Sequence, residues 1–282
     1  MHCFAALAAQ RQSLEGAALK LKHSSLALAA AAALGPFAAT PASAATCTWN
    51  TAAGNWAALA NWAVCVAGNG SPVGTPGSAD TANIGAPGLV TVNTAQSILN
   101  LNNAGRIDID AASLTLQGGG ATNITGGVIN IANGAVLNQV GQTITGGTIN
   151  STGTGRMVAS ASGSNFLSGV TLNGLLDTAT SQGIQRIVNG LTLGGTISVN
   201  NNSVLAFEGT NTIAGAGTIV LGNTGGSNRI ALDGNGTTTF AAGTTIRGQN
   251  VSIGSAAFVG GTQTLVSNGT TCGCTPQVRS PA

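Results

Sequence analysis

Residues 124–130 read ITGGVIN, and residues 144–150 read ITGGTIN. The two heptapeptides differ at one position and lie twenty residues apart. A Gly-Gly turn followed by a short β-branched strand, returning at that interval, asks for a fold in which the chain comes back to the same place. The match runs past the heptapeptides. Ile129, Ile131, Ala135 and Leu137 superpose on Ile149, Ser151, Gly155 and Met157 at the same offset, and Ile197, Val199, Ser203 and Leu205 keep the same internal spacing. Asn130 and Asn150 fall at equivalent positions.

Outward from this core the chain is a run of apolar doublets with one residue between partners. They include Val90/Val92, Leu99/Leu101, Ile107/Ile109, Leu114/Leu116, Ile129/Ile131, Val170/Leu172, Leu191/Leu193, Ile197/Val199, Leu205/Phe207, Ile219/Leu221, Ile230/Leu232 and Val251/Ile253. Positions i and i+2 share one face of a strand, so each doublet reads as a short strand with one buried side. Gly-Gly, Asn-Gly and Asn-Asn pairs stand between the doublets and tolerate the left-handed backbone of tight turns. No window beyond residue 44 keeps a 3.6-residue apolar period.

A period near 20 residues belongs to solenoids, in which a coil buries its apolar side only against its neighbours. Propeller blades need about twice that length, and an antiparallel sandwich has no reason for positional identity at a fixed offset. The expectation is an all-β chain forming a right-handed parallel β-helix from Ile84 to Thr270, with roughly 20–22 residues per coil and about eight or nine coils. At about 4.8 Å per coil it would be roughly 40 Å long. Matching Asn residues of successive coils are expected to stack as a hydrogen-bonded ladder within a turn.

The first 44 residues read as a secretory leader. Lys20, Lys22 and His23 precede an apolar run from Leu26 to Ala39, and Ala42-Ser43-Ala44 offers an A-x-A processing site with cleavage after Ala44. Residues 1–19 are long for a charged n-region, so translation is a candidate to begin near Leu21. The run is shorter than the roughly 20 apolar residues that cross a bilayer, and no later stretch supplies a transmembrane segment.

Removing the leader takes both histidines and both lysines, and the chain has no tyrosine. Six arginines (106, 156, 186, 229, 247 and 279) then balance Asp80, Asp108, Asp110, Asp177, Glu208 and Asp233. A neutral chain without lysine is poorly equipped to neutralise phosphates, so nucleic acid is excluded as the expected partner. Anionic membrane surfaces are disfavoured for the same reason. The 43% hydrophobic content argues against disorder, which pairs low hydrophobicity with high net charge.

All three tryptophans fall between Cys47 and Cys65. An open β-helix end exposes strand edges and core side chains, and solenoids cover it. Trp49, Trp56 and Trp62 are therefore read as an N-terminal cap over residues 45–83, tied by a Cys47–Cys65 disulfide. The competing reading is an aromatic sugar-binding patch. At the other end, residues 271–282 form a tail of different composition whose Cys272 and Cys274 have neither a histidine nor a second Cys pair beside them.

Gly54-Asn55-Trp56, then Asn61-Trp62, Pro76, Asp80 and Ile84, resembles the entry motif of bacterial exported β-helix proteins of the autotransporter passenger and surface adhesin type. The turns at Gly146–Ile149 and Ala214–Ile219 are similar to those of their coils, and the resemblance spans most of residues 47–270. It implies a secreted or cell-surface protein, no catalytic residues and no cofactor. That family continues into a translocating β-barrel, whereas this chain ends about a dozen residues after its last repeat. The reading is a truncated passenger or another export route.

Without histidine, a Ser/His/Asp triad and a His-rich zinc site have no material. Carboxylate chemistry remains. Asp108 and Asp110 alternate with inward Ile107 and Ile109, which puts both on the outer face about 7 Å apart along one strand. They are weak candidates for a Ca²⁺ site or an acid–base pair, against the plainer reading of two solvated charges. Asp177, Glu208 and Asp233 lie in different coils, with Asp233 in the turn-like LDGNG. The arginines recur every one or two coils and are either a stripe for acidic sugars or scattered solvated charges. The expected function is non-enzymatic and adhesin-like, binding glycans or host or neighbouring-cell proteins through repeated polar faces. The alternatives are a polysaccharide lyase or hydrolase on the same scaffold, and a purely structural surface protein.

Overall fold

The computed structural model describes residues 44–67, 74–180, 182–222, 228–249 and 252–272. The leader up to residue 43, Val251 and the tail from residue 273 with Cys274 lie outside the described residues. Among those described, strands dominate, and the one helical turn is the 3-10 segment Leu59–Asn61.

The apolar doublets become strands of about four residues, too short to form a hairpin core and therefore dependent on stacking. Three strands make a coil. Thr81–Ile84, Leu89–Val92 and Gln96–Ile98 are followed by Asn100–Asn103, Arg106–Ile109 and Ser113–Leu116, and the order continues to Thr270–Cys272. Each strand pairs in parallel with its equivalent in the next coil, which produces three stacks, here faces 1, 2 and 3. Face 1 is revisited eight times between Thr81 and Ile253, giving a parallel β-solenoid of about eight turns. Phe166–Leu172 and Ile184–Leu193 run unbroken round the corner between faces 1 and 2, with a register shift between Ser168 and Val170.

Alternation fills the interior. Ile107, Ile129, Ile149, Leu172 and Leu193 form one fully buried column on face 2, and Leu114, Leu137, Met157, Leu176, Ile197 and Ile219 form another on face 3. Each such side chain contributes about 1.5–3 kcal/mol relative to an exposed one. One doublet divides differently from expectation. Leu101 is buried with Asn103 on face 1, while Leu99 sits at the corner after Ile98, the last residue of the preceding face-3 strand.

The repeat length is also less regular than the expected 20–22. Ile129 pairs with Ile149 twenty residues on, but Ile219 pairs with Ile246 and Ile213 with Phe240, each twenty-seven residues on. Phe207 and Phe240, edge-to-face at 5.3 Å, lie in these longer coils.

The opening heptapeptides are in register only over their second half. Ile129 and Asn130 face Ile149 and Asn150. On face 1, however, Ile144 faces Thr122, not Ile124. The later coil turns its corner with two fewer residues, and it does so through Gly146 and Gly147 at φ +65 and +67. A Cβ on Gly147 would stand 2.0 Å from the Ile124 carbonyl oxygen, so only glycine fits.

Polar side chains inside the corner between faces 3 and 1 satisfy the turn backbone. Thr122 Oγ1 donates to Gln142 Oε1 at 2.6 Å. Asn165 Nδ2 donates to the carbonyls of Ser160 and Ile184 at 2.9 and 3.0 Å, while its Oδ1 accepts from Gly141 N at 2.6 Å. Buried peptide groups are paired in this way because an orphan costs a full desolvation penalty.

Candidate functional site

The aromatic segment closes one end. Ala45–Trp49 pairs in parallel with Thr81–Ile84 on one edge and antiparallel with Trp62–Ala67 on the other, so the first edge of the solenoid is covered. Trp62 meets Trp49 and Trp56 edge-on, each at 5.0 Å. Trp62 Nε1 donates to the Trp56 carbonyl at 2.7 Å, and Trp56 Nε1 to the Pro76 carbonyl at 3.2 Å. Cys47 is bonded to Cys65. Asp80 ties the segment together, accepting from Ala45 N and Gly77 N at 2.8 Å each. All three indoles are buried, with Trp56 0% exposed, which removes their faces from any ligand.

Asp108 and Asp110 are not brought together as a working pair. Asp108 Oδ1 accepts from Arg106 Nε and from Asn130 Nδ2, both at 2.7 Å. Asp110 lies one residue past the strand and is exposed. Among the described residues no group of three or more Asp, Glu, His or Cys gathers there or elsewhere. The hydrogen bond to Asp108, and secondarily its charge, raise the pKa of Arg106 above its ordinary value.

Asp108 instead begins a ladder. Asn130 Nδ2 donates to it, Asn150 Nδ2 to Asn130 Oδ1 at 2.8 Å, and Asn173 Nδ2 to Asn150 Oδ1 at 3.1 Å. The ladder runs along the outward side of face 2 and not within a turn, because Asn130 and Asn150 are the outward partners of buried Ile129 and Ile149.

Among the described residues the arginines form no stripe. Arg106 pairs with Asp108 on face 2, Arg156 with Asp177 on face 3, and Arg186 with Glu208 on face 1. Arg186 is also stacked between Phe166 and Phe258, its Cζ 4.3 and 4.8 Å from the ring centres. Phe258 belongs to residues 254–262, which cross the outside of face 1 as a strap. Asp233, the last strand residue before the Gly234-Asn235 bend, is 0% exposed and pins the strap. Its Oδ1 accepts from the backbone N–H groups of Ala257, Phe258 and Val259 at 2.6, 3.0 and 3.2 Å. In the sequence the strap is visible only as an interruption of the doublets after Ile253.

Two uncharged surfaces remain. On face 1 the outward rows of the first coils carry Thr46 and Thr48, Thr81 and Asn83, Asn100 and Asn102, Asn123, then Thr143 and Thr145. Neighbours are about 4.8 Å apart between coils and about 7 Å along a strand. Asn102 Nδ2 donates to Asn83 Oδ1 at 2.8 Å, and Asn100 Nδ2 to Thr81 Oγ1 at 3.2 Å, which holds the amides in place. The pattern that marks this surface, Thr or Asn flanking one inward residue as in Thr81-x-Asn83, Asn100-x-Asn102 and Thr143-x-Thr145, lies in plain view between the doublets.

The second surface is a groove of about 500 Å³ at the corner of faces 1 and 2, lined by Gly169, Asn189, Gly190, Leu191, Thr192, Thr210, Thr212 and Ala214. It forms where the two long strands bend at Gly169, Asn189 and Gly190, all at positive φ.

Comparison with protein-family models, with curated proteins and with solved structures returned no match. Among the described residues no helix is long and apolar enough to cross a membrane.

Proposed function

We propose that this chain is a non-enzymatic, exported, adhesin-like protein that binds glycans or proteins through its repeated polar surface. The observation that carries the reading is the uncharged Thr/Asn lattice on face 1 of the first coils, from Thr46 and Thr48 to Thr143 and Thr145. Each position offers one weak hydrogen-bonding contact, and an array of weak contacts on a rigid support gains useful affinity by multivalency. The corner groove adds a concave site with threonine hydroxyls around Leu191. The sequence resemblance to autotransporter passengers and surface adhesins points the same way by analogy, since a fold alone does not decide function.

The test uses residues 45–282 on a glycan and matrix-protein array, together with a polyuronate cleavage assay with and without Ca²⁺. Binding without turnover supports the proposal. Turnover that disappears in Asp108→Asn or Asp110→Asn would replace it with an enzyme.

A further inference from the structure

The outer surface carries five Asn-x-Ser/Thr sequons within the described residues, at Asn123, Asn150, Asn201, Asn235 and Asn268. Two more, at Asn69 and Asn250, lie outside them. A sequon is an acceptor only if its amide nitrogen is reachable, and the fold sorts the five into two groups.

Asn150 and Asn201 have that nitrogen engaged. Asn150 Nδ2 donates to Asn130 Oδ1 in the face-2 ladder, and its Oδ1 accepts from Asn173. Asn201 Nδ2 donates to the Ala179 carbonyl at 3.2 Å. Both side chains are half-buried.

Asn123, Asn235 and Asn268 are exposed. Asn123 ends the face-1 strand Ala121–Asn123, and its Oδ1 accepts from Thr125 N, the hydroxyl residue of its own sequon, at 3.0 Å. Asn235 Oδ1 accepts from Thr262 N at 2.8 Å. In both, the carboxamide is oriented through its oxygen, and Nδ2 donates to nothing among the described residues.

We propose that Asn123 and Asn235 are acceptors of N-linked sugar, with Asn268 as a third. The inference rests on the export reading above, which would bring the chain to a glycosylating route. The donor is a glycosyl diphosphate, either nucleotide-linked or lipid-linked. The bond from sugar C1 to the diphosphate oxygen breaks, a bond from C1 to Asn Nδ2 forms, the amide gives up one proton to the transferase, and the diphosphate leaves. No oxidation or reduction is involved.

The experiment is glycopeptide mass spectrometry of the protein purified from cells carrying its own gene, with electron-transfer fragmentation to place each modification. Fragmentation is needed because Asn123 and Asn150 share the peptide between Arg106 and Arg156. The expected result is sugar at Asn123 and Asn235, with Asn150 and Asn201 bare. Thr125→Ala should abolish occupancy at Asn123 while Thr125→Ser retains it. A short chain of single sugars indicates the nucleotide-linked donor, and one large block indicates the lipid-linked donor. Bare Asn123 and Asn235 would overturn the proposal, as would equal occupancy at Asn150 and Asn201. If the sites are bare while the leader is still attached, the export reading falls as well. If they are bare on a processed chain, only the glycosylation does.

Discussion

Two glycines separate backbone conformation from steric exclusion. Gly134 sits at φ +81 with nothing within 4 Å of a Cβ, whereas Gly147 sits at φ +67 with the Ile124 carbonyl 2.0 Å away. Gly134→Ala should therefore cost about 1–2 kcal/mol from the left-handed backbone alone. Gly147→Ala should cost about 3 kcal/mol or more, since the neighbouring coil must also move. Urea midpoints of the two variants would check the difference, and equal losses would mean that the corner is not tightly stacked. The Asn ladder gives a second contrast. Asn150→Ala removes two side-chain hydrogen bonds and should cost about 1–2 kcal/mol, while Asn173→Ala at the ladder's end removes one exposed bond and should cost about 0.5 kcal/mol.

Two elements lie outside the repeat and hold onto it. The covering strand Trp62–Ala67 is joined to the strand Ala45–Trp49 through Cys47–Cys65. Closing a loop of this size stabilises by about 3 kcal/mol on chain-entropy grounds. Cys47→Ala with Cys65→Ala should lower the melting temperature and expose Trp56, seen as a red shift in fluorescence. The middle of the strap is held by one carboxylate. Asp233→Ala removes the acceptor of three backbone N–H groups, and hydrogen bonds to a charged group are worth about 1.5–3 kcal/mol each at most. Residues 254–262 should then exchange amide protons faster and become a protease site, while the amides of Ile129 and Ile149 stay protected. Unchanged exchange in the strap would show that the remaining contacts, Phe258 on Arg186, Gly234 N on the Val259 carbonyl and Thr262 N on Asn235 Oδ1, suffice to hold it.

What could be read from the sequence follows from what repeats. Inward doublets such as Ile107/Ile109 and Ile197/Val199 are buried as expected, because strand alternation is a local property. Register is not local. The ITGG match suggested equivalence of Ile124 with Ile144, yet corner length shifted that pairing to Thr122. The strap, the groove at Gly169 and the burial of Asp233 depend on which coil lies beside which, and no short-range pattern encodes that. Asp108 was visible as an outward acid, but its engagement by Asn130 twenty-two residues later needed the stack.

For the solenoid as a whole, each coil touches only its neighbours, so stability is close to a sum of nearest-neighbour contributions. The function proposed is likewise distributed, and it belongs to the uncharged lattice of face 1. The most direct test is to place charge on that lattice and measure array binding. Asn102→Asp with Thr145→Asp alters two outward, exposed positions without touching the core columns. The account predicts that the circular dichroism spectrum is unchanged while binding to the glycan or matrix ligand falls at least about tenfold, a loss of about 1.4 kcal/mol. Undiminished binding by a folded double variant would contradict it.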